Sequence, residues 1–242
     1  KVVIDCAHGA TYDIAPAVFS ELGAEVISIG ASPDGLNIND HIGSTSPDAL
    51  SKKVVEVQAD LGVAFDGDGD RTIMVDHLGN IVDGDEILFV IAKERHRKNI
   101  DIGGVVGTKM SNLGLELALA ELDIPFTRTS VGDRFVLKEM LKRDWLLGGE
   151  SSGHIICNDI TSTGDGIVSA LQALTAVINT ERSLLDLRSQ MRKLPQSMIN
   201  VKLMNTFDLE SNQNVKSAVA NIEEKLGTKG RVLLRPSGTE RA

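Results

Sequence analysis

Apolar and polar positions along this chain fall into blocks that switch between the period of a strand and the period of a helix. Val2–Cys6 is a short apolar run and reads as a buried strand. Ile14, Val18 and Leu22 recur at helical spacing, and Glu25–Ile29 reads as the next strand. Leu50, Val54 and Val57 mark a second helix, with Pro47 near its N-terminus, where proline fits. Leu61–Phe65 is again a strand. Thr72–Val75 and Asn80–Val82 read as a hairpin closed around Gly79. Asp83 begins a helix through Ile87 and Ile91, and Glu86 completes a capping-box pattern. The basic segment Lys93–Lys98 reads as a solvated helix end and linker.

The programme then restarts. Gly104–Gly107 is a strand, Leu113 and Leu117 mark a helix, and Pro125–Thr129 is a strand. The block VVIDCAHGA…FSELGAEV is matched about 100 residues later by GVVGTKMSN…LAELDIPF, a period too long for a solenoid. A helix over Phe135–Lys142, strands near Trp145–Leu147 and over His154–Cys157, and a long helix over Asp165–Ile178 follow, with Pro195 beyond them. Met198–Met204 starts a third, partial unit. Val215, Val219, Ile222 and Leu226 give it an amphipathic helix, and Val232–Leu234 a strand. The expected fold class is α/β: two similar consecutive domains with mixed sheets over residues 1–98 and 99–197, then a truncated α+β domain over 198–242.

Composition narrows the function. With 242 residues, 42% of them hydrophobic, the chain can bury a sizeable core, and no apolar run reaches the roughly 20 residues of a membrane helix. A net charge of −9 and an aromatic content of 3% argue against a nucleic-acid partner, which calls for basic patches and stacking rings. Cys6 and Cys157 each lie in an apolar segment and read as buried, reduced thiols of a cytoplasmic protein. There is no initiator Met and no signal-peptide pattern, and the chain reads as a piece of a longer protein.

Three loops carry chemistry. In AFDGDGDRT, Asp66, Asp68 and Asp70 alternate with two glycines at the end of a buried strand, and Arg71 follows. Three carboxylates so close repel one another, so a hard cation such as Mg²⁺ is their natural stabiliser. An EF-hand would need Gly at Arg71 and Glu at His77 and does not fit. Asp68-x-Asp70-x-Thr72 also matches the short D-x-D-x-T pattern of aspartyl-nucleophile phosphatases, and an ordinary Asp/Gly turn is the plainest alternative. Gly149–His154 (GESSGH) offers Glu150, Ser151 and Ser152 to grip sugar hydroxyls, and His154, which can move a proton near neutral pH. Arg235-Pro-Ser237-Gly238-Thr239-Glu240 joins a guanidinium fork, two hydroxyls and an open backbone, a combination suited to phosphate. Each of the last two is as readily a plain polar turn when taken alone; three such coincidences together are much less probable.

With these loops in this order the sequence resembles the α-D-phosphohexomutases, whose metal, sugar and phosphate loops read D-G-D-G-D-R, G-E-x-S-G-H and R-x-S-G-T-E-P. The resemblance covers the whole chain. Within the family it is nearest to the members that act on glucosamine phosphates, through Asn37–Asn39 with Gly43–Thr45, Met110–Glu116, Val131–Arg134 and Thr163–Gly166. It implies a four-domain cytoplasmic enzyme interconverting glucosamine 6-phosphate and glucosamine 1-phosphate, a step toward UDP-N-acetylglucosamine and peptidoglycan. These residues would form its second and third domains and part of its fourth. It further implies one Mg²⁺ on Asp66, Asp68 and Asp70, and a sugar bisphosphate as intermediate and activator. As catalytic residues Arg71 would steady the phosphoryl oxygens and His154 would carry a proton or contact a phosphate; Glu150 and Ser152 would grip the sugar, and Arg235, Ser237, Gly238 and Thr239 the non-reacting phosphate. Phosphoglucose or phosphomannose substrates are the alternative within the family; a metal-dependent phosphatase or a non-catalytic sugar-phosphate module lies outside it. Three departures stand out: no Ser-His dipeptide of the family's phosphoserine loop occurs, Ser130 stands where many relatives have Lys, and Arg241 stands where they have Pro. The chain alone is therefore expected to be inactive.

Overall fold

Strand β1 (Val2–Asp5) is buried along its whole length, as an apolar run without alternation requires, and it lies inside a sheet rather than at an edge. The computed structural model describes residues 1–197, 199, 201, 212–227 and 230–234, and divides into two compact units, Lys1–Leu194 and Pro195–Ala242.

In the first unit, β1 is flanked in parallel by β2 (Val26–Ile29) and β3 (Leu61–Phe65). β3 pairs antiparallel with β4 (Thr72–Asp76), and β4 with β5 (Ile81–Val82), giving the order β2-β1-β3-β4-β5. Helix α1 (Ile14–Glu21) joins β1 to β2, and α2 (Asp48–Glu56) joins β2 to β3. After α3 (Gly84–Arg97) the same path is repeated. β6 (Val105–Thr108) lies parallel to β7 (Phe126–Thr129) and β8 (Leu147–Gly149), and β9 (Ile155–Cys157) returns antiparallel to β8, in the order β7-β6-β8-β9. Helices α4 (Leu113–Ala120), α5 (Asp133–Arg143) and α6 (Gly166–Thr180) occupy the places of α1, α2 and α3. The sequence repeat is thus a repeat of topology.

Eleven of the 14 residues of α3 are buried, so this helix has no solvent face and serves both halves at once. Its Ile87, Leu88, Val90 and Ile91 join one core with Ile4, Leu61 and Val63 of the first sheet and Val105, Leu115, Leu119 and Leu147 of the second half. α6 packs against α3, where Gln172 meets Arg95 and Asn179 meets Glu94, and it buries the small residues Ser169, Ala170, Ala173 and Ala176. α2 covers the first sheet's other face with Leu50 and Val54, and α5 covers the second sheet's with Val136 and Met140.

Three expectations change. α1 forms where expected, but Ile14 and Leu22 are exposed, and the buried stripe is Ala15 and Phe19. Ile14–Phe19 is apolar at every position, so periodicity could not choose a face, and the phenyl ring, with the most area to bury, chooses it. A five-residue helix, α7 (Leu184–Arg188), was not foreseen, although Ser183 and Asp186 form its capping box. In the second unit α8 (Gln213–Leu226) forms, capped by Asn212 accepting from the Val215 N–H. Val232–Leu234, expected as a strand, carries none; a strand needs a neighbour to take its backbone hydrogen bonds, and the described residues of this unit supply none. Most of Met198–Met204 lies outside the described residues.

Candidate functional site

The loop Asp66–Arg71 fills the gap between β3 and β4. Asp66 is buried and ties the loop to itself. Its Oδ1 accepts the Arg71 N–H at 3.1 Å, its carbonyl accepts the Gly69 N–H at 3.2 Å, and its Oδ2 lies 3.3 Å from Arg71 Nε. Gly69 takes φ +79°, a turn that a side chain would strain. One oxygen from each of Asp66, Asp68 and Asp70 lies within 4.8 Å of the others. Burial pushes the Asp66 carboxyl up; the Arg71 N–H opposes this, and the charges of Asp70 and Asp68 add to it. Oδ1 of Asp70 is buried and accepts no hydrogen bond, with Arg71 Nε 3.7 Å away. Three clustered carboxylates, one with a buried oxygen lacking a donor, have the donor set of a hard divalent cation.

The first repeat cradles this loop from beneath. The Ala10 N–H donates to the Gly67 carbonyl at 2.8 Å, and Ser44 N–H to the Phe65 carbonyl at 2.8 Å. Ala7 and His8, at the end of β1, both adopt left-handed φ near +50°. That conformation costs a non-glycine residue about 1–2 kcal/mol and persists only where the surroundings impose it.

The second loop, Glu150–His154, stands at the equivalent place in the other repeat, between β8 and β9. Glu150 N–H donates to the His154 carbonyl and Gly153 N–H to the Glu150 carbonyl, each at 3.0 Å, closing a tight turn with Gly153 at φ +95°. Glu150 Oε1 accepts the Gly132 N–H at 2.9 Å, which fixes Val131–Arg134 beside it. Ser152 is exposed at the tip.

The two loops expected on separate domains meet. Arg71 and His154, each the last residue of its loop, form an antiparallel bridge, and the Thr72 N–H donates to the Gly153 carbonyl at 3.0 Å. The His154 ring is buried with Nδ1 3.2 Å from Asp70 Oδ2. Its other edge lies against Gly164, where a Cβ would come within 2.7 Å of the ring. His154 thus faces a carboxylate of the acidic triad and not open solvent. Sequence reasoning missed this pairing and the Gly132–Glu150 contact; the Thr163–Gly166 segment bore the only readable trace of the first. Arg235, Ser237, Gly238, Thr239 and Glu240 lie outside the described residues.

Among the described residues no helix is long and apolar enough to cross a membrane. The phosphoglucomutase/phosphomannomutase models match over the whole length: alpha/beta/alpha domain II at residues 1–79, alpha/beta/alpha domain III at 83–194 and the C-terminal domain at 198–242. Proteins named phosphoglucosamine mutase from Hahella chejuensis and Aeromonas hydrophila are 59% and 60% identical over 240 residues, covering 99% of this chain and 54% of theirs. One from Legionella pneumophila is 56% identical over 99% of this chain and 53% of its own. The chain thus spans about half the length of the curated relatives it matches. Of solved structures, an N-acetylglucosamine-phosphate mutase in its product complex superposes with a TM-score of 0.78 at 22% identity, over 99% of this chain and 56% of the other. The Aspergillus fumigatus N-acetylphosphoglucosamine mutase in complex with GlcNAc-6P and magnesium gives 0.74 at 18% identity, over 99% and 60%. At such identities these two speak for the fold alone.

Proposed function

Because this chain belongs to the phosphoglucomutase/phosphomannomutase family, we propose that it supplies the metal, sugar and phosphate loops of an intramolecular phosphotransferase converting glucosamine 6-phosphate to glucosamine 1-phosphate and back. The observation that carries the reading is the junction of the two loops: Asp70 beside His154, and Arg71 bridged to His154. A metal held by one loop and a sugar held by the other then share one site. The choice of glucosamine is supported by the relatives named phosphoglucosamine mutase at 56–60% identity.

In this reading Asp66, Asp68 and Asp70 hold one Mg²⁺, which when bound neutralises charge on a phosphoryl group in transfer. Arg71, half-exposed at the edge of the triad, steadies phosphoryl oxygens. Glu150 and Ser152 take the sugar hydroxyls, with Glu150 pre-set by the Gly132 N–H. Arg235, Ser237, Gly238 and Thr239 hold the phosphate that does not react. His154 acts as a positioning residue: its buried ring, with Nδ1 3.2 Å from Asp70 Oδ2, keeps that carboxylate in place. The phosphoryl group moves from a phosphoserine outside these 242 residues to the free hydroxyl of the substrate. The sugar bisphosphate so formed turns over, and its other phosphate returns to the serine. The three sequence units, 1–98, 99–197 and 198–242, are proposed as successive domains of that cytoplasmic enzyme.

The test uses the full-length gene product with Mg²⁺, a trace of sugar bisphosphate, and glucosamine 1-phosphate, glucose 1-phosphate or mannose 1-phosphate in parallel. A clear preference for glucosamine 1-phosphate is expected. Preference for another sugar refutes the substrate assignment, and absence of turnover with all three refutes the reaction.

A further inference from the structure

A helix leaves its first backbone N–H groups without intrahelical partners, and a side-chain cap satisfies only one or two of them. In α3 and α6 the N-cap aspartates, Asp83 and Asp165, accept the N–H of the third helical residue, Glu86 and Val168, at 3.2 and 3.0 Å. The first helical residue of each is glycine, and its N–H goes elsewhere. Gly84 of α3 donates to the Ser151 carbonyl in the loop of the second repeat at 3.1 Å. Gly166 of α6 donates to the Gly69 carbonyl in the loop of the first repeat at 2.9 Å. Each helix therefore holds the loop that belongs to the other half.

The approach is too close for any side chain. A Cβ on Gly84 would overlap the Glu150 carbonyl oxygen and lie 2.7 Å from the Gly153 nitrogen. A Cβ on Gly166 would lie 2.7 Å from the Arg71 carbonyl oxygen and 2.9 Å from that of Gly69. All of these are backbone atoms, which cannot swing aside as a side-chain tip can.

We propose that Gly84 and Gly166 are positioning residues forming a reciprocal brace, through which the geometry of the acidic triad depends on the sugar loop 150–154. From Gly84 the brace runs to Ser151 and Gly153, then across the Thr72 N–H and the Arg71–His154 bridge to Asp70. Gly166 closes it from the other side at Gly69, between two of the aspartates. Gly84 touches none of the three carboxylates, so any effect it has on metal binding must pass along this path. The inference rests on the triad being a metal site.

The experiment measures Mn²⁺ binding to this chain by the loss of the free-ion EPR signal, in the wild type, Gly84→Ala, Gly166→Ala and a control, Gly107→Ala. In the control the new Cβ meets the Phe126 ring and the Ser111 side chain, away from both loops. Groups that orient metal ligands are typically worth roughly 10–100-fold in affinity. For Gly84, one step further out, about threefold or more is expected, with Gly107→Ala unchanged however much its melting temperature falls. A folded Gly84→Ala that binds Mn²⁺ like the wild type overturns the brace. A wild-type chain that binds no Mn²⁺ overturns instead the metal reading beneath it. Should Gly84→Ala not fold, amide exchange in the wild type decides: Mg²⁺ is expected to slow exchange at the Gly84 N–H, and protection confined to 66–72 refutes the coupling.

Discussion

Replacing Asp85 by Asn should make this protein more stable at pH 8 and leave it nearly unchanged at pH 4. Asp85 lies in the first turn of α3 and is 1% exposed. Its Oδ2 accepts the Asn112 N–H at 2.7 Å, while Oδ1 is buried with no hydrogen-bond partner. Burial pushes the carboxyl from 3.8 up to about 7; the Asn112 N–H pulls it back in part, and the Asp83 charge adds to the rise. The unfolded chain gives up this proton near pH 3.8, whereas the folded chain keeps it to about pH 7. Between those values folding takes up a proton, so stability falls as pH rises through the window and levels off above it. A difference of roughly 3 pK units at about 1.4 kcal/mol each sets the loss at no more than about 4 kcal/mol. Asn keeps an oxygen for the Asn112 N–H and has no proton to lose. Urea unfolding of the first unit can be followed through Trp145, the single tryptophan, at pH 4, 6 and 8. Asp5 and Asp66 are also pushed up by burial and tilt the wild-type curve, so the informative quantity is the difference between the two proteins at each pH. That difference should grow in favour of Asn by about 2–4 kcal/mol from pH 4 to 8. A constant difference, or a variant less stable at pH 8, refutes the reasoning.

Two further outcomes follow from the same geometry. Arg188 of α7 binds Asp76 at 3.1 Å and Glu86 at 2.8 Å, both carboxylates almost wholly buried. Asp76 keeps the Asn80 side chain and the Leu78 and Asn80 N–H groups, and Glu86 keeps Lys193, so Arg188→Met should cost about 3 kcal/mol, the low end for a broken buried pair; a cost below about 1 kcal/mol in the Trp145 assay counts against it. Asp68→Asn should weaken Mn²⁺ binding by at least about tenfold while leaving the melting temperature of the metal-free chain equal or higher, since it relieves like-charge repulsion; calorimetric titration showing wild-type affinity would remove Asp68 from the ligand set.

Where one residue's local chemistry decides an element, the sequence was legible. β3 ends at Phe65, where the apolar run meets Asp66, and α3 begins at the Asp83–Glu86 capping box, with both halves of that box formed. Where the decision is tertiary, it was not. The face of α1 was chosen by Phe19 within a segment apolar throughout. α7 is only five residues long and is held by Arg188 reaching carboxylates more than 100 residues away. The site divides in the same manner. The clustering of Asp66, Asp68 and Asp70 could be read from their spacing, because a loop of six residues can hardly keep them apart. The burial of His154 against Asp70 could not, because it depends on how the second repeat lies on the first.

That placement has a logic of its own. Arg71 precedes β4 as His154 precedes β9, and Gly84 opens α3 as Gly166 opens α6. Arg71 pairs with His154, each helix start grips the opposite loop, and α3 packs on α6. Residue i of one half meeting residue j of the other, and j meeting i, is the pattern of a two-fold interface, here formed within one chain. Such an interface binds two copies of the same loop position back to back and leaves their side chains free to differ. One copy carries three carboxylates separated by two glycines; the other carries a glutamate and two serines closed by a glycine. The two loops, proposed to hold a metal and a sugar, can therefore diverge in sequence without losing their alignment, provided the backbone contacts at Gly84, Gly166 and the Arg71–His154 bridge are kept. A bulky residue at Gly84 would then harm the acidic triad more than a polar exchange at the exposed Ser152, although Ser152 lies in the loop itself and Gly84 does not.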